Sequence, residues 1–374
     1  MGNSGTGILV SLSFLFFIII SGCTGGDDQW SMTLNGDGNR TIDASLYDEL
    51  KNCSITVNGV SGIPLEFFLY DYGLFPVDAV SVDGRTYNWT EVTYGAGMDV
   101  PFLVLPNGSI YDGQSIASAK RIEVTLAERP GHTTLEIAPS ILYAMGLGGE
   151  EGLIGQNASR VVVFYVDGMG YERYTRASAL GLIENISALG EPVKALCEYP
   201  SISQVNARAL VTGMPSDIRA GSFRNAYPSG KTVLEAVSET GATARWVAGL
   251  SSPVNLGDQV VNARNYDSNG YEADEVASEA IQQCYDGVSL LFVHFKDTDK
   301  KMHLSGPYSG EGMASMEYVD EQLGRVVSVL GPGTVVIVYS DHGGHTTIAG
   351  GNHGTLVAED MVVPIIVHVV DGGL

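Results

Sequence analysis

The stretch "TVVIVYSDHGGHTTIAGGNHGTL" (residues 334–356) decides how the rest of the chain is read. It opens on a continuous run of β-branched and aromatic residues, which suits a strand buried on both faces of a parallel sheet. The run ends in Asp341-His342. A glycine-rich segment follows and carries His345 and His353, so three of the chain's seven histidines fall in this one segment. Two other runs share the texture, "RVVVFYV" (160–166) and "SLLFVHF" (289–295). The first leads into Asp167-Gly168-Met169-Gly170, the second into "KDTDKKMH" with Asp297, Asp299 and His303. Helical stretches separate the runs: "GKTVLEAVSETG" (230–241), "DEVASEAIQQCYDG" (274–287) and "ASMEYVDEQLGRVVSVLG" (314–331). Each ends at or near glycine, as helix C-termini often do. Strands alternating with helices imply an α/β sheet with right-handed crossovers.

In open α/β sheets, ligands bind beyond the carboxyl ends of the strands. Three strands here each deliver a carboxylate to that edge. Carboxylates gathered there raise one another's pKa and partly neutralise unless a cation lies between them. Divalent metal ions relieve the repulsion, and Asp plus His ligands suit zinc or manganese. Singly, each signal is bland. An Asp after a strand is often a helix N-cap, and His353 alone reads as a loop histidine. The segment "YPSISQVNARALVTGMPSDIRAG" (199–221) adds a nucleophile. Pro200 marks a turn, and the helix that follows ends at Gly213. Ser203 falls at the N-cap, where free N–H groups and the positive dipole end suit an alkoxide or a phosphoryl group. The plain alternative for Ser203 is a capping serine. Asn206, one turn on, is placed to aim its amide at the same oxygens.

With 374 residues, 44% hydrophobic and 17% charged, the chain is globular and long enough for one large domain and a smaller one. A net charge of −23 argues against a nucleic-acid or anionic membrane-surface partner. The apolar run over residues 8–20 is short for a membrane span and suits a signal-peptide core. Ile20-Ser21-Gly22-Cys23 resembles a lipoprotein cleavage box, although no Lys or Arg precedes it. An uncleaved anchor is the alternative. Either way the chain is expected outside the cell and tethered to the membrane. Cys53, Cys197 and Cys284 form no CxxC pair, which leaves one disulfide or three separate thiols. Asn-x-Ser/Thr sequons at Asn39, Asn52, Asn88, Asn107, Asn157 and Asn185 make glycosylation chemically available in an exterior location.

The domain reading is a signal or anchor over 1–23, a small β-rich module over 24–118, a connecting segment over 119–159 and a catalytic domain over 160–374. The module is dense in turns ("LNGDGN", "VDGRTYNW", "LPNGSIYDG") between short β-prone runs. It shows no chemistry of its own and is expected to be a spacer or binding platform.

The segments "VVVFYVDGMG", "SISQVNARALVTGMP", "DKKMHLSGP" and "YSDHGGH…GGNHG" resemble, in order, the metal-binding segments of the alkaline phosphatase superfamily. Within it they are most similar to the type I phosphodiesterases and nucleotide pyrophosphatases. The resemblance covers residues 160–370. It implies an alkaline-phosphatase-like sandwich with a central, mostly parallel sheet flanked by helices. It also implies two divalent metal ions, zinc foremost and manganese second. Asp167, Asp341, His342 and Ser203 would hold one, and Asp299, His303 and His353 the other. By the same resemblance Ser203 is the nucleophile, Asn206 a phosphoryl donor, and Thr212-Gly213 the close of the helix. Serine stands where the phosphodiesterases usually carry threonine, and Met302 where a glycine is common. Asp297 competes with Asp299, but the spacing to His303 favours Asp299. His345 has no assigned role. Residues 130–148 resemble a segment that in many relatives follows the last strand, so a helix there is expected to pack on the main sheet. The activity implied is hydrolysis of a small phosphate ester or diester through a phosphoseryl intermediate. A phosphomonoesterase, a phosphotransferase like the cofactor-independent phosphoglycerate mutases, and a cell-surface binding lipoprotein with a structural metal site are the alternatives.

Overall fold

The computed structural model describes residues 30–88, 92, 101–155, 157–220, 225–264 and 266–371. The expected anchor and Cys23 lie outside the described residues. The main sheet has eight strands. Their order is His132–Thr133, Val193–Leu196, Val362–Val369, Val335–Tyr339, Val161–Val166, Leu290–Phe295, Ala244–Ala248 and Val260–Asn262. Val161–Val166 lies at the centre and pairs in parallel with both neighbours. Val362–Val369 runs antiparallel to the strands on either side of it, so the sheet is mixed.

The three continuous apolar runs are continuous because both sheet faces are covered. Every residue of Val161–Val166, Leu290–Phe295 and Val335–Tyr339 is buried. Alternate residues enter different cores. Val161, Val163, Tyr165, Ile337 and Phe292 share one cluster with helices Ile137–Ala144, Ser203–Thr212 and Val233–Ser238. Val162, Phe164, Val166, Val338 and Val293 share the other with helices Tyr171–Ala179, Ala273–Tyr285 and Gly310–Val327. Each large apolar side chain so buried contributes about 1.5–3 kcal/mol, and this fixes the strand ends that carry the polar groups.

The expected helices are present. The helix read at 314–331 begins earlier, at Gly310, because Ser309 caps it by accepting from Gly312 N. Helix Ile137–Ala144 packs on the sheet as expected: Ile141 is fully buried among main-sheet residues, and strand His132–Thr133 just before it joins the sheet edge. Cys53, Cys197 and Cys284 are free and buried.

The N-terminal region folds into two five-stranded sheets. One contains Ser31–Asn35, Val77–Val82 and Arg121–Leu126; the other runs from Ile55–Val57 to Ile116–Ser118. It is no detached spacer. Its core residues Leu34, Phe68 and Val80 belong to the same apolar cluster as Val163 and Ile337 of the main sheet. Val77 N donates to Leu356 O at 2.9 Å, and Tyr199 OH donates to Glu66 Oε2 at 2.9 Å, a contact buried on both sides. Arg219 reaches Asp71 and Glu49 from the other side of the seam.

Candidate functional site

The central strand ends at Val166, and the next residue, Asp167, is buried at the sheet edge. It caps no helix; Gly170 is the N-cap of Tyr171–Ala179. Asp167 Oδ1 accepts from Ser203 Oγ at 3.3 Å, and Oδ2 lies 2.9 Å from His294 Nε2. Asp341 stands beside it, accepting from Tyr165 OH at 2.7 Å and from Gly168 N at 3.0 Å. Burial, compounded by the neighbouring Asp341 and Asp299, pushes the Asp167 carboxyl well above its ordinary range. Burial also raises Asp341, against the pull of His342. Two buried carboxylates side by side call for positive charge between them.

Asp299 and His303 lie one turn apart on helix Asp297–Ser305 and face each other at 3.3 Å. The competitor Asp297 is structural: its Oδ2 accepts from Glu272 N and Ala273 N at the start of the preceding helix, Ala273–Tyr285. The glycine-rich segment folds into a hairpin, His345–Thr347 with Gly350–Asn352, laid directly on that helix. A Cβ at Gly351 would stand 2.7 Å from Met302 O, and Gly344 and Gly350 are as tightly pressed. The glycines therefore serve close approach rather than loop flexibility. The hairpin brings His353 Nε2 to 3.5 Å from Asp299 Oδ1 and 3.1 Å from His303 Nε2.

The ring orientations carry most of the information. His303 Nδ1 lies 3.1 Å from Gly351 O, His342 Nδ1 2.8 Å from Gly343 O, and His353 Nδ1 2.8 Å from Ser201 O. A carbonyl only accepts, so each Nδ1 carries the proton and each Nε2 offers a lone pair. Burial, then His342 beside it, holds His353 neutral, with its pKa down to about 3. Two Nε2 lone pairs 3.1 Å apart, with Asp299 Oδ1 accepting no hydrogen bond beside them, fit a cation. Asp167, Asp341 and His342 form a second trio whose ligand atoms lie within 4.8 Å of one another. His342 also falls within the same range of Asp299 and His353, and its ring stacks on His353 at 3.7 Å, so the two centres adjoin. The donor set fits the two divalent ions that the resemblance implies.

Ser203 is the first residue of helix Ser203–Thr212, with Ile202 as N-cap, and its Oγ is 3.3 Å from both Asp167 Oδ1 and His342 Nε2. Gly213, in the left-handed conformation, ends that helix as the sequence indicated. Asn206 is corrected. It is fully buried; its Oδ1 accepts from Glu198 N at 2.7 Å, and its Nδ2 donates to Glu198 O and Ile202 O. Its amide braces the turn before Ser203 and does not face the site. His345 does not reach the site either: buried, it pairs through Nδ1 with Asp360 Oδ1 at 2.8 Å.

Three supporting residues gave little sign in the sequence. His294, within a buried strand, is pushed down to about 3, first by burial and then by Lys296; the neutral ring donates to Asp167 Oδ2 and aims the other oxygen at Ser203. Arg173, wholly buried, donates to Gly168 O, Thr298 O and Gly312 O, locking the Asp167 turn to the Asp299 helix. Tyr165 holds Asp341. The hint for Tyr165 and His294 was a polar atom within an otherwise apolar strand; Arg173, in the polar helix Tyr171–Ala179, gave none. A cavity of about 800 Å³ opens in front of Ser203, His303 and His353, and its opposite wall is the N-terminal module, through Asn52, Ser54 and Phe67.

Residues 242–373 match the family model described as type I phosphodiesterase / nucleotide pyrophosphatase. A phosphopentomutase of Rhizobium meliloti (strain 1021) is 31% identical over 178 residues, 46% of this chain and 42% of that protein. One of Shewanella loihica is 26% identical over 175 residues, with the same two shares. The chain thus spans less than half the length of these curated relatives. Among solved structures, a protein in the alkaline phosphatase superfamily from Vibrio parahaemolyticus aligns at 17% identity, over 56% of this chain and 60% of that one, with a TM-score of 0.40. A 2-O GAG sulfatase aligns at 14%, over 58% and 65%, with a TM-score of 0.43. The family match spans two of the four segments, "DKKMHLSGP" and "YSDHGGH…GGNHG", and bears out the resemblance to the type I phosphodiesterases and nucleotide pyrophosphatases.

Proposed function

We propose that the protein is a metal-dependent phosphoric ester hydrolase of the phosphodiesterase type, with Ser203 as nucleophile. One observation carries the reading: three histidines, each donating its Nδ1 proton in a hydrogen bond to a backbone carbonyl, turn bare Nε2 atoms toward buried carboxylates around a serine hydroxyl. Divalent ions bound by Asp167, Asp341, His342 and by Asp299, His303, His353 would lower the pKa of the Ser203 hydroxyl and offset charge on the phosphoryl oxygens. The chain's own part is positioning. Asp167 Oδ1 accepts the Ser203 hydrogen bond and aims Oγ outward. The first-turn N–H groups of helix Ser203–Thr212 face phosphoryl oxygens with the positive end of the helix dipole. Attack by Oγ forms the Ser203–O–P bond and expels the leaving alcohol; water then cleaves that bond and restores the serine.

The test compares bis-p-nitrophenyl phosphate, p-nitrophenyl phosphate and p-nitrophenyl sulfate, with and without zinc or manganese. Turnover of a phosphate ester is expected, and Ser203→Ala and chelation should each abolish it. Hydrolysis surviving both changes overturns the mechanism. The similarity to phosphopentomutases favours a second reading, in which the seryl phosphate is handed back to another hydroxyl of a phosphosugar. Phosphate retained on the sugar, with no inorganic phosphate released, would select it. The apolar run over residues 8–20 and Cys23 support a further part of the proposal, export and tethering by the N-terminus. Growth in labelled palmitate with no label on the chain, together with recovery in the soluble cytosolic fraction, would refute that part.

A further inference from the structure

We infer that the N-terminal β-rich module forms the leaving-group subsite, and that this subsite takes an uncharged, hydroxyl-bearing group. The inference rests on the phosphate-ester reading above. The cavity of about 800 Å³ is far larger than a phosphoryl group needs, and Ser203 and the module both line it. The phosphoryl end is fixed by Ser203, His303 and His353, so the remainder of any substrate must lie against Asn52, Ser54 and Phe67.

The chemistry of that wall is specific. Asn52 and Ser54 are exposed polar residues, one at either side of buried Cys53. The Asn52 Nδ2 makes one long hydrogen bond of 3.4 Å to Arg219 O, which leaves its Oδ1 to accept from a hydroxyl. Ser54 Oγ donates to Gly62 O at 3.2 Å and also meets the Tyr47 hydroxyl, which leaves it one lone pair for the same task. Phe67, edge-on to Tyr199 at 5.6 Å, supplies an apolar side. Charge decides what is excluded. Among the described residues lining the cavity, Lys296 is the one cationic Lys or Arg, and it belongs to the catalytic half, where it reaches Ser251. The module's charged contribution is the carboxylate of Glu66. A leaving group bearing a carboxylate or a second phosphate would enter this wall without a counter-charge, which costs far more than it gains.

The test reads binding, so that it stands apart from turnover. Zinc-loaded full-length Ser203→Ala protein is titrated calorimetrically with glycerol 3-phosphate, with 3-phosphoglycerate and with inorganic phosphate. The first two are close in size and differ by a carboxylate in place of a hydroxymethyl group. Glycerol 3-phosphate is expected to bind at least about tenfold more tightly than 3-phosphoglycerate. Adding Asn52→Leu should weaken glycerol 3-phosphate about three- to tenfold and leave inorganic phosphate unchanged. Ser54→Ala, at an equally exposed site, repeats the measurement independently of how well the Asn52 variant folds. Equal or tighter binding of 3-phosphoglycerate overturns the inference, as does an equal loss for inorganic phosphate in both variants. Absence of turnover in the unsubstituted enzyme would count against the hydrolase reading alone.

Discussion

Gly170→Ala tests whether the turn between the central strand and its helix sets the metal site. Gly170 sits at φ 55 and ψ 154, a region essentially closed to residues with a Cβ. Forcing alanine there costs about 1–3 kcal/mol in backbone strain alone. A Cβ would also stand 2.7 Å from Gly343 Cα, where ordinary contact begins at 3.4 Å. The gap must therefore open by about 0.7 Å (3.4 − 2.7). Gly343 adjoins His342, whose Nδ1 is held by Gly343 O, while Gly170 N donates to His342 O. The displacement thus passes directly to a proposed ligand. An error of about 1 Å in a reacting geometry costs on the order of 100-fold, so about 0.7 Å should cost at least tenfold in kcat/KM. Zinc content after dialysis, p-nitrophenyl phosphate turnover and a thermal melt are measured together. Gly241→Ala is the control: it has φ 86 with nothing within 4 Å, so it bears the strain without the push. It should lose stability and keep its zinc. The reasoning fails if Gly170→Ala retains full zinc and turnover within threefold, or if Gly241→Ala loses zinc equally.

Two further outcomes concern the supports around the site. His345→Gln should destabilise by roughly 3 kcal/mol, because it breaks a buried pair with Asp360. Burial opposes the His345 charge, yet Asp360 outweighs it and the pKa is raised. A raised histidine gives its stability in full below the unfolded value, near pH 6.5, and loses it as pH rises through the folded value. The gap between the two proteins in urea melts should therefore be largest below about pH 6.5 and shrink as pH rises above it, and a gap that widens would refute the pairing's role. At the module seam, Tyr199→Phe should cost about 1–3 kcal/mol, since it strips Glu66 of a buried donor. Arg219→Ala, half-exposed like its partner Glu49 though paired also with the more buried Asp71, should cost under about 1 kcal/mol. The reverse order in denaturant melts would contradict a seam held by its buried contacts.

The three central strands could be read from sequence because burial on both faces leaves a nearly continuous apolar run, in which His294 is the one strongly polar side chain. The edges could not. His132–Thr133 is two residues long, and Val193–Leu196 exposes Val193 and Lys194, so neither shows a periodic signal. The apolar run at 363–370 was visible, but its antiparallel direction is set by which neighbours it meets, not by its composition. The module's turns were legible, and its docking was not. Docking depends on pairs such as Glu66 with Tyr199 and Val77 with Leu356, separated by far too much chain for any local pattern.

The site divides the same way, and the division is physical. Groups that would bind a cation are constrained by chemistry to be Asp or His at strand ends, so type and position betray them together. Groups that orient those ligands work by hydrogen bonds any polar side chain can make, and their identity says little. Asn206 shows the error this invites. One turn past the serine it had the right type and spacing for a phosphoryl donor. Yet a fully buried amide must satisfy its own donors and acceptor, and the Glu198 and Ile202 backbone does so first. His294 is the converse, a lone histidine in an otherwise apolar strand. It stands opposite Tyr165 in the parallel register, one residue short of the sheet edge. From there Tyr165 reaches Asp341 and His294 reaches Asp167, so adjacent strands each hold one carboxylate of the same candidate metal group. A polar residue in an otherwise unbroken buried strand, one or two places before the carboxyl end, is thus a positional signal in its own right. Burial would exclude it unless a charged partner lay just beyond.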